Sequence, residues 1–204
     1  PETTEPAPAP AKLSDKYAQV TMTSGISHLS DNEKQMLPLL FEAADIMDEL
    51  YWMENWGDKN ALMEQISDPD AKLYAEINYG PWDGLNNEAS FVEGIGEKPA
   101  GAQFYPKDMT MEEWETFDDP NKTSQYTMIV RDENGALKCV WYHEFFAEKI
   151  EKAAQLLEQA SELAGDPEFA QYLKLRATAL RTDDYLESDM QWMTVRNNNI
   201  AMVV

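Results

Sequence analysis

Apolar residues recur every three or four positions along most of the chain, the spacing that places them on one face of an α-helix. The longest stripe follows the capping-box pair Ser30 and Glu33, and it contains Met36, Leu40, Ala43, Met47 and Leu50. Pro38 lies within this stripe and removes a backbone donor, so a kink or a break is expected in the first turns. Further helices are predicted at residues 59–66, 69–77, 110–117, 145–164, 167–180 and 183–193.

Alternating apolar and polar residues predict a small amount of β-structure. Residues 125–131 and 136–142 alternate on either side of Asn134-Gly135, a dipeptide that favours the positive φ angles of a tight hairpin turn. The same alternation predicts a strand at residues 17–23, and the apolar run 200–204 after three asparagines predicts the beginning of another. The expected fold is therefore α+β and predominantly α-helical, with helical hairpins and a small antiparallel β-hairpin.

The two ends of the chain differ in character from the rest. Residues 1–12 begin PETTEPAPAP and are predicted to form a proline-rich tether, which leaves 13–204 as a mainly helical domain. The tether either links to an upstream domain or follows a cleaved signal peptide with a lipid-modified cysteine, and its place at the start favours the second. We therefore expect a periplasmic or outer-membrane-anchored lipoprotein. The apolar residues 200–204 favour a chain that continues into a longer protein.

The charge of the chain argues against one class of partner. Its 38 acidic and 16 basic residues give a formal net charge of −22, with no basic patch. Such a chain repels a phosphate backbone, so no nucleic-acid binding is expected, and membrane contact is expected only through the amino-terminal lipid. The single cysteine, Cys139, allows no internal disulfide or thiolate metal cluster and is expected to be a small buried side chain.

No complete catalytic motif is found in the sequence. His143-Glu144 begins like a zinc-peptidase helix, but Ala147 stands where the second histidine is required. A phosphate-binding loop and a nucleophile elbow are also missing. We therefore assign no catalytic residue and no metal ligand to these 204 residues.

The long segment 78–108 carries the candidate binding residues. It lacks helical periodicity and is rich in glycine, proline and aromatic residues, and long irregular segments of compact domains often serve function. Tyr79, Trp82 and Tyr105 would contact a substrate, and Asp83 would bind the amino group of a peptide, because a carboxylate suits an ammonium. Under the alternative interpretation the segment is a rigid structural loop whose Trp82 and Tyr105 fill the core.

Two parts of this segment, INYGPWDGL from Ile77 and FVEGIGEKPAGAQFYPKDMT from Phe91, resemble the bacterial and plant branch of the dipeptidyl-peptidase III family of zinc metallopeptidases. The later stretch LKLRATALRTDDYLESDMQWM, from Leu173, resembles the same family. The resemblance covers the chain from about Ser30 to its end. In some plant members this branch is fused to a Nudix domain.

The resemblance implies a two-lobed enzyme that releases dipeptides from the amino terminus of short peptides. Its zinc is held by a His-Glu-x-x-Gly-His helix and a glutamate from a later motif, and neither motif occurs in this chain. The chain would then be an amino-terminal, zinc-free portion of an incomplete lobe, inactive alone, whose partner is the remaining carboxy-terminal part of the same protein. The alternatives are a self-standing acidic binding module without catalysis and a family member that has lost its zinc and only binds peptides.

Overall fold

The helices expected from the three- and four-residue spacing are present in the computed structural model, which describes residues 12–204. Their bounds are α1 Asp31–Asn55, α2 Lys59–Gln65, α3 Pro69–Asn78, α4 Met111–Thr116, α5 Tyr142–Phe145, α6 Ala147–Leu163, α7 Pro167–Thr182 and α8 Leu186–Trp192. A 3-10 turn, Leu13–Lys16, precedes them and is called the amino-terminal turn below. The tether predicted at residues 1–12 lies outside the described residues except for its last position.

Four short strands form two antiparallel pairs. They are β1 Trp82–Asp83 with β2 Ala89–Ser90, and β3 Thr127–Arg131 with β4 Leu137–Trp141. The α+β, predominantly α-helical class is therefore confirmed. Over residues 12–204, no helix is long and apolar enough to cross a membrane.

Helix α1 begins where the capping box predicts. The Ser30 N–H donates to Glu33 Oε2 at 2.7 Å, and the Glu33 N–H donates to Ser30 Oγ at 3.2 Å. These bonds, with one from Asn199, hold the pKa of Glu33 below its usual value. The expected break at Pro38 does not occur, because α1 continues unbroken to Asn55. The buried side chains on both sides of Pro38, Met36 and Leu40, keep the segment against the core.

The hairpin of β3 and β4 is confirmed, but its turn differs from the expected one. Gly135 has a φ of 83°, whereas Asn134 is outside the positive-φ region. The Asp132 carboxylate shapes the turn instead, because its Oδ1 accepts from the N–H groups of Asn134 at 2.8 Å and Ala136 at 2.9 Å. This aspartate turn replaces the second positive φ that a two-residue loop would need.

Two of the predicted strands are wrong. Residues 17–23 pair with no strand among the described residues, and Val20 and Met22 are 75% and 91% exposed. Residues 200–204 are also unpaired, although Ile200, Met202 and Val204 are half-buried against the core of their unit. Alternate residues of the apolar run 200–204 therefore pack against the core without strand pairing.

The chain divides into two compact units. Among the described residues, the smaller unit contains residues 12–23 and 56–98, and the larger unit contains residues 24–55 and 99–204. Segment 78–108 is therefore split between them. Each unit is described by itself below.

The larger unit has its core where α1, α6 and α7 pack together. Fully buried side chains on these three helices include Met36, Ala43, Ala153, Leu157, Leu173 and Ala177. The alanines allow close approach of the helix backbones, and the leucines fill the space between them. Ion pairs join the exposed edges: Lys152 Nζ lies 2.5 Å from Glu42 Oε1, and Arg181 contacts both Glu151 and Glu158 of α6.

The smaller unit is built around one face of α3. Asp68 caps this helix by accepting from the Asp70 N–H at 3.1 Å, and Pro69 occupies its first turn, as the sequence predicts. Tyr74 and Ala75 of α3 are completely buried in this unit, and so is Leu62 of α2. The strand β1 follows α3 after a short turn, so its Trp82 and Asp83 are placed beside the buried face of α3.

Candidate functional site

The candidate binding residues fall in both units. Tyr79, Trp82 and Asp83 belong to the smaller unit, and Tyr105 belongs to the larger unit. In the smaller unit the structure brings Trp82 and Asp83 together on β1, next to α3 and the amino-terminal turn.

Trp82 is a buried side chain with fixed partners. It is 4% exposed, and its Nε1–H donates to the Gly96 carbonyl at 2.9 Å. The Trp56 ring meets it edge to face with centroids 5.2 Å apart, and Lys98 Nζ lies 5.8 Å from its ring centroid. The indole therefore joins three parts of the smaller unit and fixes the glycine-containing segment over β1.

Asp83 is a buried carboxylate surrounded by donors. The residue is 3% exposed. Its Oδ1 accepts from the Tyr74 hydroxyl at 2.7 Å and from the Leu85 N–H at 3.0 Å, and its Oδ2 accepts from Lys16 Nζ. Both oxygens are thus engaged within the smaller unit, and the ammonium comes from the amino-terminal turn.

The protonation states of Asp83 and Lys16 depend on two opposing effects, the burial of the carboxylate and its hydrogen bonds. Burial by itself would raise the pKa of Asp83, but the bonds from Lys16 and Tyr74 outweigh it and hold the pKa below its usual value. The same carboxylate raises the pKa of Lys16. Asp83 and Lys16 are therefore a carboxylate and an ammonium at neutral pH.

The amino-terminal turn is fixed to α3 through a second carboxylate. Asp70 Oδ2 accepts from the Leu13 N–H at 2.7 Å, and Asp70 Oδ1 accepts from the Ser14 hydroxyl. These bonds hold the pKa of Asp70 below its usual value, Ser14 having the largest effect. A cavity of about 620 Å³ lies between the turn and the exposed side of α3, lined in part by Tyr17, Leu73 and Ile77.

Tyr79 and Tyr105 have mainly local structural partners. Tyr79 caps the end of α3 in the left-handed region, at φ 53°, and is half-buried. Tyr105, in the larger unit, meets Trp114 edge to face with centroids 5.6 Å apart. A side chain at Gly101 would overlap the Tyr105 ring, since an added Cβ would lie 2.5 Å from it. Gly101, at φ 78°, therefore allows the ring to pack on the backbone.

The larger unit contains a cluster of polar side chains around Asp183. This aspartate ends α7 at φ 56°, and its buried Oδ2 lies 2.7 Å from His143 Nδ1. Burial raises the pKa of Tyr185 to about 12 and that of Glu54 to about 7. Within residues 12–204, no three His, Cys, Asp or Glu side chains are gathered as metal ligands.

Several partners of the candidate residues are not evident from the sequence. In the sequence, Lys16 directly precedes a segment that is predicted to be a strand. Tyr74 fits the pattern of apolar residues on one face of α3. The one available signal is that Tyr74 is an aromatic residue with a hydroxyl on an otherwise alanine-rich buried face, which requires a nearby acceptor. Gly96 contacts Trp82, and Phe91 contacts Tyr74, only in the folded chain, so neither contact is evident from the sequence.

Known proteins show similarity to the chain at the level of sequence and fold. No protein-family model matches it. The curated protein "Nudix hydrolase 3" of Arabidopsis thaliana is 24% identical over 244 residues, which cover 89% of this chain and 32% of that protein.

Two solved structures share its fold. Dipeptidyl-peptidase III from Caldithrix abyssi has 36% identity and a TM-score of 0.79, over 86% of this chain and 35% of that one. Dipeptidyl-peptidase III from Corallococcus sp. strain EGB has 26% identity and a TM-score of 0.81, over 90% of this chain and 36% of that one. The chain thus spans about a third of the length of these relatives. The predicted resemblance to the dipeptidyl-peptidase III family is confirmed in both sequence and fold.

Proposed function

We propose that this chain is a zinc-free portion of a dipeptidyl peptidase that acts on short peptides. The observation that carries the proposal is the agreement with the Caldithrix abyssi structure, 36% identity together with a TM-score of 0.79 over most of the chain. Because the chain spans about a third of that protein, the activity is proposed for the longer protein and not for this chain alone. The chain alone is expected to be inactive.

The residues described do not fit the family's zinc. That site needs two histidines on one helix, whereas the two histidines here, His28 and His143, are far apart in sequence. His143 already contacts the Asp183 carboxylate through Nδ1, and no three potential ligands gather within residues 12–204. In this proposal the zinc ligands come from the remaining part of the longer protein.

The proposed task of this chain is to supply part of the peptide-binding surface. Asp83 would hold the peptide's amino group, because a carboxylate buried among donors binds an ammonium strongly. Tyr79, Trp82 and Tyr105 would contribute aromatic surface. The structural contacts of Trp82 and Tyr105 described above equally suit a supporting role, so substitution has to separate binding from stability.

The remaining polypeptide is the proposed partner of the chain. Helix α8 offers an apolar face for it: Leu186, Met190 and Met193 follow one another at helical spacing and are 69%, 59% and 56% exposed. Three large apolar side chains exposed on one face are typical of a surface that is covered by another segment.

The coding sequence downstream of Val204 tests the proposal. An open reading frame that encodes His-Glu-x-x-Gly-His would supply the zinc helix that this chain lacks. A stop codon directly after Val204 would overturn the proposal and leave the acidic binding module as the better description.

A further inference from the structure

The Lys16 ammonium lies against the buried carboxylate of Asp83 and the side chain of Tyr74. Lys16 Nζ bonds to Asp83 Oδ2, and the Tyr74 hydroxyl, bonded to Oδ1 at 2.7 Å, lies beside the same ammonium. Lys16 Nζ is also 5.3 Å from the centroid of the Tyr74 ring. A carboxylate, a phenol and an aromatic face together match the charge and the N–H groups of an alkylammonium.

Two further aromatic rings pack on Tyr74. They are Tyr17 and Phe91, with centroids 5.8 Å and 4.9 Å away. Asp83 is 3% exposed, so its charge is held away from bulk water and needs a cation beside it. Tyr17 directly follows Lys16 and moves with the amino-terminal turn. The residues that stay in place, Tyr74, Asp83 and Phe91, are together called the ammonium site below.

The amino-terminal turn, which carries Lys16, buries little apolar surface against the rest of the smaller unit. None of the residues of the amino-terminal turn is buried. The turn is attached through two carboxylates, Asp70 and Asp83, and a cavity of about 620 Å³ remains between it and α3. In the ammonium site, Tyr74 belongs instead to α3 and Asp83 to β1, and Phe91 directly follows β2. Tyr74 is completely buried in the smaller unit and Asp83 is 3% exposed, so neither depends on the turn for its position.

We infer that this group of residues is a binding site for a primary ammonium, and that Lys16 occupies it as a ligand carried by the chain itself. A free alkylammonium, such as the amino terminus of a peptide, takes the same place when the amino-terminal turn is displaced. Lys16 is then a competitor of the ligand, and the turn limits access to Asp83.

The identification of the displacing ammonium with a peptide's amino terminus rests on the proposed function. The existence of the site does not, because it follows from the contacts of Lys16 and Asp83. A test with a simple amine therefore separates the two: the site can be confirmed for a chain that proves not to be part of a peptidase.

Chemical rescue of Lys16→Ala tests the site directly. The substitution leaves the buried Asp83 without its cation and removes the alkyl stem, so the melting temperature is expected to fall by ~5 °C or more. Addition of n-butylammonium chloride should restore it, since a ligand at ten times its Kd raises the melting temperature of a chain of this size by ~4 °C. Tetramethylammonium chloride at the same concentration has no N–H to donate and should restore nothing.

Two further variants complete the test. Lys16→Ala/Asp83→Asn removes the buried charge and should be insensitive to n-butylammonium, and Lys34→Ala, which removes an exposed ammonium 3.7 Å from Asp31, should show neither the loss nor the rescue. If Lys16→Ala does not fold alone, recovery of its near-ultraviolet circular dichroism on addition of n-butylammonium is the equivalent result. Equal effects of the two amines, rescue that persists in the double variant, or no rescue would overturn the inference.

Discussion

At the scale of single residues, Asp83 is the side chain of the smaller unit whose partners matter most, because its buried charge depends on them. Two hydrogen-bond donors and one ammonium meet its carboxylate in a setting that is 3% exposed. Replacement of any one donor leaves the remaining charge less well compensated. Trp82, the preceding residue, is on the same two-residue strand but depends on packing and a single hydrogen bond.

The two contributions of Trp82 can be separated by substitution. Trp82→Phe keeps an aromatic ring but loses the bond to the Gly96 carbonyl, so it should lower the free energy of unfolding by about 1 kcal/mol. Trp82→Ala also empties a buried site and should cost about 3–5 kcal/mol. Urea denaturation followed by circular dichroism measures both. Equal losses for the two variants would show that the ring makes no packing contribution.

Glu54 gives the larger unit a pH dependence of unusual sign. Burial raises its pKa from 4.5 to about 7, so the folded state binds a proton more tightly than the unfolded state does. The stability due to this group is complete below pH 4.5 and is lost as pH rises towards 7. Because the side chain is partly exposed, we expect the loss to be about 1 kcal/mol.

Glu54→Gln removes this dependence. The variant should therefore gain about 1 kcal/mol relative to the parent chain between about pH 5 and about pH 8, as measured by urea denaturation across that range. A difference between variant and parent that does not change with pH would contradict the raised pKa.

Among the elements, the helical hairpin of α6 and α7 is the most regular. Gly165 and the cap Asp166 separate the two helices, and Asp166 Oδ1 accepts from the Phe169 N–H at 2.9 Å. Arg181 near the end of α7 pairs with Glu151 and Glu158 of α6 and lowers the pKa of Glu151 to about 2. Local capping and an interhelical ion pair thus support the same arrangement.

The cap of α7 can be tested with a matched pair of variants. Asp166→Ala leaves a helix N–H without its acceptor and should lower the free energy of unfolding by about 1 kcal/mol. Asp166→Asn keeps an acceptor oxygen and should cost much less. Thermal denaturation of both variants gives the comparison. A loss as large in the asparagine variant as in the alanine variant would mean that the cap bond is not the cause.

Local signals predicted the helices because those signals act within a few residues. Capping pairs such as Ser30 with Glu33, the dipeptide Asp166-Pro167 and the apolar stripes need no distant partner to be recognised. The strand expected at 17–23 failed because alternation indicates one exposed and one buried face but not a partner strand. The contact between Lys16 and Asp83, 67 residues apart, could not be found in the same way, since only the folded chain brings them together.

At the scale of the whole molecule, two features distinguish the surface. The net charge of −22 is large for 204 residues and favours solubility. The second feature is the exposed apolar face of α8, which the proposed remaining polypeptide would cover.

Met190→Glu tests the face of α8. In the 204-residue chain this side chain is 59% exposed, so the substitution should change the melting temperature by no more than ~2 °C. In the longer protein the same charge would be buried in the contact and should lower the melting temperature several times more. Glu187→Gln changes another exposed side chain of the same helix without removing an apolar group; it is the control and should have little effect in either protein. Equal effects of Met190→Glu in both proteins would rule out this contact.

The most direct test of the central claim is an assay of dipeptide release. A peptide with a free amino terminus is incubated with the 204-residue chain alone and, separately, with the proposed longer protein. The proposal predicts dipeptide release by the longer protein, loss of that release in a zinc chelator, and no release above the blank by the chain alone. Release of dipeptides by the purified 204-residue chain, or none by the longer protein supplied with zinc, would contradict it.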